Sequence, residues 1–175
     1  MAPSATNLIK PEPTERPVTD SQVVMNEMVL PNDANVLGNV LGGHVMHLMD
    51  MCAAMSAMRH CRKVVVTASV DHLSFVHPVK VGELMILKAS VNYADHTSME
   101  VGVRIEAEQP LTGEKRHTSS AYLTFVALDE RGRPTPVPKV VPVTEDDKRR
   151  FEAARSRRED RLRRMKGEGN QPPGE

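Results

Sequence analysis

Asp50 is the carboxylate whose surroundings most suggest chemistry, because the segment around it is otherwise strongly apolar. An ionised carboxylate is costly to bury unless it has partners or a task. At helical spacing Asp50 shares a face with Met46, Ala53, Ala54 and Ala57, and small side chains there would leave room for a ligand or another chain. The residues alone indicate either a catalytic carboxylate or an aspartate that hydrogen-bonds a neighbouring loop.

The glycine pair Gly42-Gly43 comes just before this apolar segment. The first backbone N–H groups of a helix are unpaired, and together with the helix dipole they can polarise a carbonyl or hold an anion. Glycines also let a substrate approach the backbone closely. Paired glycines are common in ordinary turns, so this pair by itself predicts only the start of a helix.

Two histidines, His44 and His47, precede Asp50 at intervals of three residues, which raises the question of a metal site. On a helix His44 and Asp50 would be about 120° apart around the axis and about 9 Å apart along it. That separation is too large for both to bind one ion. We therefore expect no metal site, and histidines that are solvated or lie at an interface.

The elements that must hold these groups can be inferred from hydrophobic periodicity. The apolar residues from His44 to His60 cover nearly the whole circumference of a helix, and such a helix must be buried on every side. A first strand is predicted from Val23 to Leu30, followed by a turn-rich loop that contains buried anchors.

Four segments after the helix alternate with period two and predict half-buried strands. In three of them the inward residues are Met85, Leu87, Ala89, Val91 and Tyr93; Met99, Val101, Val103, Ile105 and Ala107; and Ala121, Leu123, Phe125 and Ala127. In the fourth, Val64 to Val76, Val66, Ala68 and Val70 are inward before a change of phase that requires a bulge near Asp71-His72. Short turns between successive strands predict an antiparallel sheet.

The chain divides into four parts by composition. We expect a disordered proline-rich arm over residues 1–20, a folded domain over 21–143, a charged helix over 144–166 and a disordered tail over 167–175. Thr144 would cap the last helix. Its ten Lys/Arg and six Asp/Glu give a local charge of +4, and we expect too few apolar residues for tight packing.

Bulk composition excludes several classes of function. The formal net charge is zero and aromatic residues make up 3% of the chain, so nucleic acid is not an expected partner. No apolar run is long enough for a membrane span or a signal segment, and Cys52 and Cys61 do not form a disulfide framework. We expect a cytoplasmic protein without a membrane span.

This order of elements resembles the hotdog fold, an α+β architecture in which five to six antiparallel strands wrap a central apolar helix. Ordered motifs between about Val24 and Pro138 resemble the acyl-CoA thioesterases of this fold. They are Pro31-Asn32-Asp33-Ala34-Asn35, Gly38-Asn39-Val40-Leu41-Gly42-Gly43, Leu48-Met49-Asp50, Arg59-His60-Cys61, Val66-Thr67-Ala68-Ser69-Val70-Asp71, Phe75 with Pro78-Val79 and Gly82, Ser98-Met99-Glu100-Val101, and Gly132 with Pro134.

The resemblance implies a catalytic pair, Asn39 and Asp50, with the two residues supplied by different subunits of a dimer. Asp50 would act as general base or nucleophile and Asn39 would orient the nucleophile. The backbone of Gly43, with Gly42 beside it, would polarise the thioester carbonyl.

The resemblance also implies acyl-CoA as substrate, with CoA arriving as part of it and no separate cofactor. Thr97 and Ser98 match the region near the CoA phosphates, and the assembly would be a homodimer, grouped as a trimer of dimers. The alternative is a module of the same fold that binds acyl-CoA without turning it over, because a fold alone does not fix a function.

Overall fold

The computed structural model describes residues 14–168 of the 175-residue chain. Its helices are α1 (Gly42–Cys61) and α2 (Glu145–Glu168), and short 3-10 turns lie at Val18–Ser21 and Pro31–Asp33. Its strands are β1 (Glu15–Pro17), β2 (Val23–Met28), β3 (Val64–Phe75), β4 (Leu84–Ala94), β5 (Ser98–Glu108), β6 (Lys115–Leu128) and β7 (Lys139–Val141).

Five strands form one antiparallel sheet in the order β2-β4-β5-β6-β3. Consecutive hairpins make up its centre, while β2 and β3 form its two edges. Because α1 joins β2 to β3, the chain crosses from one edge to the other along the helix. The helix packs against strands of this sheet, which confirms the predicted α+β hotdog architecture.

Alternate residues of β4, β5 and β6 form the core under α1. The predicted inward residues of these strands, Tyr93 apart, are at most 4% exposed, which confirms the period-two analysis. Tyr93 follows a register shift after Val91, and its ring lies 5.1 Å from that of Phe151 in α2. The shift moves Tyr93 out of the alternation and toward the second helix.

α1 was predicted to be buried on every side, but within one chain it is buried on one side. Its sheet-facing residues include Leu48, Met49 and Cys52, all at most 3% exposed. The opposite side leaves four methionines between 36% and 48% exposed, namely Met46, Met51, Met55 and Met58. The open side of α1 is therefore apolar and uncovered by its own sheet.

The inward face predicted for β3 is wrong for the single chain. Val66 and Val70 are 45% and 56% exposed, and Ala68 is exposed as well. The physical reason differs along the strand. Thr67, and not Val66, is paired with the inward Phe125, so Val66 faces away from α1. Val70 is paired with the inward Leu123, but it lies on an edge strand at a position that α1 does not cover. The predicted change of phase is confirmed, because the β3–β6 register shifts between Thr67 and Ser69 and again between Val70 and His72.

The proline-rich arm is more structured than predicted. Residues 1–13 lie outside the described residues, but β1 pairs in parallel with β7, and Val18 is 2% exposed. Extended backbone suits proline, so Pro17 is compatible with a short edge strand. The ordered domain therefore begins before residue 21. Of the predicted tail, residues 169–175 lie outside the described residues.

α2 also packs more closely than its composition predicted. The Thr144 hydroxyl accepts a hydrogen bond from the Asp147 N–H at 3.1 Å and so caps the helix. Phe151 packs against the core and Ala154 is fully buried. Much of this contact consists of arginine ion pairs with the sheet, which hydrophobic periodicity does not reveal.

Candidate active site

Asp50 lies on α1, where the buried side of the helix meets the open side. Its carboxylate Oδ1 accepts a hydrogen bond from the Thr67 hydroxyl of β3 at 2.6 Å. The expected space beside three alanines is only partly present, because Ala53 and Ala57 are fully buried in the core. The free side of Asp50 is therefore the one that faces away from its own sheet.

Gly42 and Gly43 form the exposed first turn of α1. The residue before them, Leu41, makes no side-chain cap, so the first N–H groups of the helix have no side-chain acceptor there. A methyl group added at Gly43 would meet nothing within 4 Å. Gly43 and Asp50 are seven residues apart, which places them about 20° apart around the helix and about 10 Å along it.

Asn39 lies in the loop that precedes α1, beside a second asparagine, Asn35. The Asn35 carbonyl Oδ1 accepts hydrogen bonds from the N–H groups of Leu37 at 2.9 Å and Asn39 at 3.2 Å. The Asn35 N–H also donates to the Asn39 carbonyl at 2.7 Å. The side-chain oxygen of Asn35 is thus occupied in shaping the loop, which leaves its NH₂ group as the donor that can face outward.

Both asparagines line a cavity of about 300 Å³ at the start of α1. Gly42, Val45 and the last residues of β3 contribute to the same cavity, whose lining is Asn35, Asn39, Val40, Gly42, Val45, Phe75, Val76, His77, Pro78, Val79 and Ser119. Asp50 does not line it. One chain therefore brings the asparagines together with the glycine turn, but it leaves the carboxylate outside.

Thr97 and Ser98 lie at the other end of the sheet, where Thr97 ends the turn between β4 and β5 and Ser98 begins β5. The Thr97 carbonyl accepts a hydrogen bond from the Ala127 N–H at 3.0 Å, next to the point where β6 ends. Asp95 in the same turn forms an ion pair with Arg158 of α2. Within one chain these residues are not brought near the glycine turn, and their contact with CoA stays a prediction.

The histidines before Asp50 do not converge on one point. His44 Nδ1 lies 3.8 Å from Asp33 Oδ1, whereas His47 is exposed. Within residues 14–168, no group of three or more His, Cys, Asp or Glu side chains is placed to hold a metal ion. In the same part of the chain, no helix is both long enough and apolar enough to cross a membrane.

Thr67 is the site residue that sequence reasoning missed. It lies within the motif Val66 to Asp71. The change of phase in β3 is the sequence feature that could have identified it, because a β-bulge changes the direction in which side chains point. Asn35 lies within another of these motifs, but the loop contains three asparagines, Asn32, Asn35 and Asn39, and the sequence does not show which of them shapes the turn.

Comparison with known proteins places the chain in a family. Residues 37–114 match the model of the thioesterase superfamily. A Bacillus subtilis protein named as an uncharacterized acyl-CoA thioester hydrolase, YkhA, is 41% identical over 135 residues, which cover 77% of this chain and 78% of that protein.

Solved structures agree with this match. An apo-hexameric acyl-CoA thioesterase superposes with a TM-score of 0.84 at 43% identity, covering 87% of this chain and 97% of that one. An acyl-CoA hydrolase from Staphylococcus aureus, in complex with butyryl-CoA, CoA and CoA disulfide, gives 0.83 at 36% identity, with coverage of 89% and 95%.

The Staphylococcus aureus hydrolase has also been solved as three alanine mutants, at an asparagine, an aspartate and a threonine. In that protein the asparagine precedes the aspartate by 15 residues, and the threonine follows it by 17. The sheet, the central helix and these matches together show that this chain belongs to the hotdog-fold acyl-CoA thioester hydrolases of the thioesterase superfamily.

Proposed function

We propose that this protein hydrolyses the thioester of acyl-CoA to a carboxylic acid and CoA, at a site to which two subunits contribute. The observation that carries the proposal is the Asp50 carboxylate, which is held by Thr67 at 2.6 Å and lies on the same side of α1 as the open Gly43 turn. A base and a carbonyl-polarising N–H are the two groups that thioester hydrolysis needs.

In the proposed reaction Asp50 acts as general base. A water molecule gives its proton to the carboxylate as its oxygen attacks the thioester carbonyl carbon. The carbonyl oxygen takes up negative charge, which the N–H of Gly43 stabilises at the positive end of the helix dipole. When the carbon–sulfur bond breaks, the proton passes from Asp50 to the departing CoA thiolate, so that the carboxylate is regenerated.

Thr67 is proposed to fix the orientation of this base. Its hydroxyl occupies one carboxylate oxygen, Oδ1, and leaves Oδ2 to hold the water. A neutral donor orients Asp50 without adding a positive charge beside it. The spacing supports this role, because Thr67 follows Asp50 by 17 residues, as the mutated threonine follows the aspartate in the Staphylococcus aureus hydrolase.

The asparagine of the site is proposed to be Asn35, in place of our sequence prediction, Asn39. Asn35 precedes Asp50 by 15 residues, which equals the separation between the mutated asparagine and aspartate of the Staphylococcus aureus hydrolase; Asn39 precedes Asp50 by 11. The NH₂ group of Asn35 is oriented by the two N–H groups bound to its oxygen, so it can donate to the attacking water or to the carbonyl.

The proposal of a shared site rests on the uncovered surfaces of the chain. The open side of α1 and the exposed Val70 of β3 form apolar surface on the side of the sheet that carries Asp50, and the outer edge of β3 has no strand beside it in the sheet. Two chains related by a two-fold axis would cover both. Because two such helices run antiparallel, the glycine turn of one would approach Asp50 of the other.

The hexameric relative supports a further level of assembly, which we propose as a trimer of such dimers. The expected location in the cytoplasm and the expected contact of Thr97 and Ser98 with CoA phosphates also remain proposals.

Asp50→Asn tests the function, because it removes the base while preserving the size of the side chain. We expect thiol release from acyl-CoA to fall by at least about 100-fold, while CoA binding, measured by calorimetry, is retained. Asp160→Asn on the exposed side of α2 is the matched control and should leave the rate unchanged. Turnover at the wild-type rate in Asp50→Asn would refute the assignment, and saturable binding without turnover in the wild type would favour a non-catalytic module.

A further inference from the structure

An arginine of α2, Arg161, contacts β3, the strand whose Thr67 donates a hydrogen bond to Asp50. Arg161 Nη1 donates to Asp71 Oδ2 of β3 at 2.5 Å and to the Thr124 hydroxyl of β6 at 2.9 Å. The hydroxyls of Ser69 and Thr124 donate to the same Asp71 carboxylate at 2.9 and 2.8 Å. We call these four residues, Ser69, Asp71, Thr124 and Arg161, the outer clamp.

The outer clamp lies just past the bulge that re-aims β3. The register with β6 shifts between Thr67 and Ser69. Over this shift β3 advances by two residues, while β6 advances by one. Thr67 can therefore face α1 and donate to Asp50, while Ser69 and Asp71 face α2 on the other side of the sheet. Without the shift, residues 67, 69 and 71 would point to one face.

α2 is well anchored beside this bulge. Arg157 forms an ion pair with Glu100, whose side chain is 3% exposed, and lies 3.7 Å from the centre of the Tyr122 ring. Ala154 is fully buried, and the ring of Phe151 packs against that of Tyr93. The Arg161 guanidinium therefore extends from a helix that is fixed against the sheet.

We propose that Arg161 and Asp71 are positioning residues for the hydrolase reaction, which act by holding the β3 bulge so that Thr67 points at Asp50. The inference rests on the proposed function of Asp50. Asp71 is only 14% exposed, and the charge of Arg161 offsets part of the cost of removing this carboxylate from water. If Arg161 were removed, Asp71 would turn toward water, and the bulge and the Thr67 hydroxyl would lose their fixed position.

The test is a double-mutant cycle between Arg161 and Thr67. Arg161→Gln should lower kcat for acyl-CoA by about 10-fold with little change in KM, because a displaced catalytic group affects the rate more than binding. Thr67→Val should lower kcat by at least as much. In the Thr67→Val background, Arg161→Gln should then have no further effect on kcat, because the hydroxyl that it positions is absent.

Arg163→Gln is the matched control. Arg163 lies on the same helix, is 73% exposed and pairs with Asp160 on its own helix, so its loss should leave kcat unchanged. With Thr67 unchanged, Arg161→Lys keeps the positive charge and should retain part of the kcat that Arg161→Gln loses. Asp71→Asn keeps the side-chain size and serves as the second variant if Arg161→Gln does not fold.

Three outcomes would overturn the proposal: an unchanged kcat in folded Arg161→Gln, an unchanged kcat in folded Asp71→Asn, or the same fold-loss from Arg161→Gln with and without Thr67. The last would mean that the arginine stabilises the fold without acting through Thr67. Failure of the underlying function is separate, since it would appear as full activity in Asp50→Asn.

Discussion

Asp50, the proposed catalytic carboxylate, has a neutral hydrogen-bond partner. The Thr67 hydroxyl satisfies one oxygen of Asp50, which reduces the cost of placing a carboxylate against an apolar core without neutralising it. The carboxyl group of Asp71, one bulge further along β3, is instead paired with Arg161. The two aspartates on either side of the sheet thus have different partners, a neutral hydroxyl for Asp50 and a guanidinium for Asp71.

The role of Asn35 gives a prediction at the same scale. Asn35→Asp retains the oxygen that accepts from Leu37 and Asn39, so the loop should keep its shape, but it replaces the NH₂ donor with an acceptor. We expect kcat to fall by about 10-fold or more, with only a small change in melting temperature. Steady-state thiol release and differential scanning calorimetry measure these two quantities.

Asn39→Asp is the matched comparison, because Asn39 lines the same cavity. It should have the smaller effect on kcat. If Asn39→Asp is the more damaging change and Asn35→Asp leaves the rate intact, Asn39 is the site asparagine, as first predicted from the sequence.

At the scale of elements, the sequence predicted which side chains of the central strands are buried, but not which side chains of the edge strand β3 are buried. β4, β5 and β6 have neighbours on both sides and α1 across one face, so burial follows period two, as for Leu87 and Phe125. Val66 and Val70 obey the same pattern in sequence but are exposed. Val66 faces away from α1 because the register places Thr67 on the inward face, and Val70 lies on an edge strand whose cover depends on contacts outside its own sheet.

The contact of α2 with the sheet could not be read from hydrophobicity either. Its arginines look like a solvated surface in sequence, and only the fold shows that Arg157 and Arg161 reach acids on strands far away along the chain. Asn35 could not be distinguished from Asn39 in the sequence for a related reason, since both lie in one loop and only the structure shows which amide oxygen caps the turn.

A buried histidine, His60, links the end of α1 to Pro138, the residue before β7. This contact predicts that the stability of the protein depends on pH. His60 is fully buried, and its Nε2 lies 2.8 Å from the Pro138 carbonyl. Within the described residues, its Nδ1 is buried without a hydrogen-bond partner. Burial lowers the pKa of His60 below its ordinary value of 6.5; the bond to Pro138 opposes this shift, Arg16 adds to it and Asp20 opposes it.

The sign of the effect follows from proton binding. Below about pH 6.5 the unfolded chain binds a proton at His60 that the folded chain does not, so the free energy of unfolding should decrease as the pH falls from that value. His60→Gln keeps a donor for Pro138 and cannot titrate, so its stability should depend less on pH. Urea unfolding at pH 7.5 and 5.5 measures the difference, with exposed His96→Gln as control. Equal pH dependence in the wild type and His60→Gln would contradict the prediction.

At the scale of the whole molecule, the residues of the proposed site lie apart within one chain. The asparagine cavity and the glycine turn lie at the start of α1, whereas Asp50 faces the uncovered side near the middle of that helix. The apolar surface around Asp50, with Met46 and Val70, is costly to leave in water. A two-fold partner would bury that surface and bring each carboxylate to the glycine turn of the other subunit, so assembly and activity are expected to depend on each other.

Mixing two impaired variants tests this division. If each site takes Asp50 from one subunit and Asn35 from the other, a heterodimer of Asp50→Asn with Asn35→Asp contains one intact site and one site that lacks both groups. Random assembly from equal amounts, by co-expression, should therefore restore about a quarter of the wild-type rate. If both residues came from one subunit, no mixture would contain an intact site. The rate should be compared with each variant alone, and heterodimer formation verified with two different affinity tags. No recovery in verified heterodimers would place the whole site within one subunit.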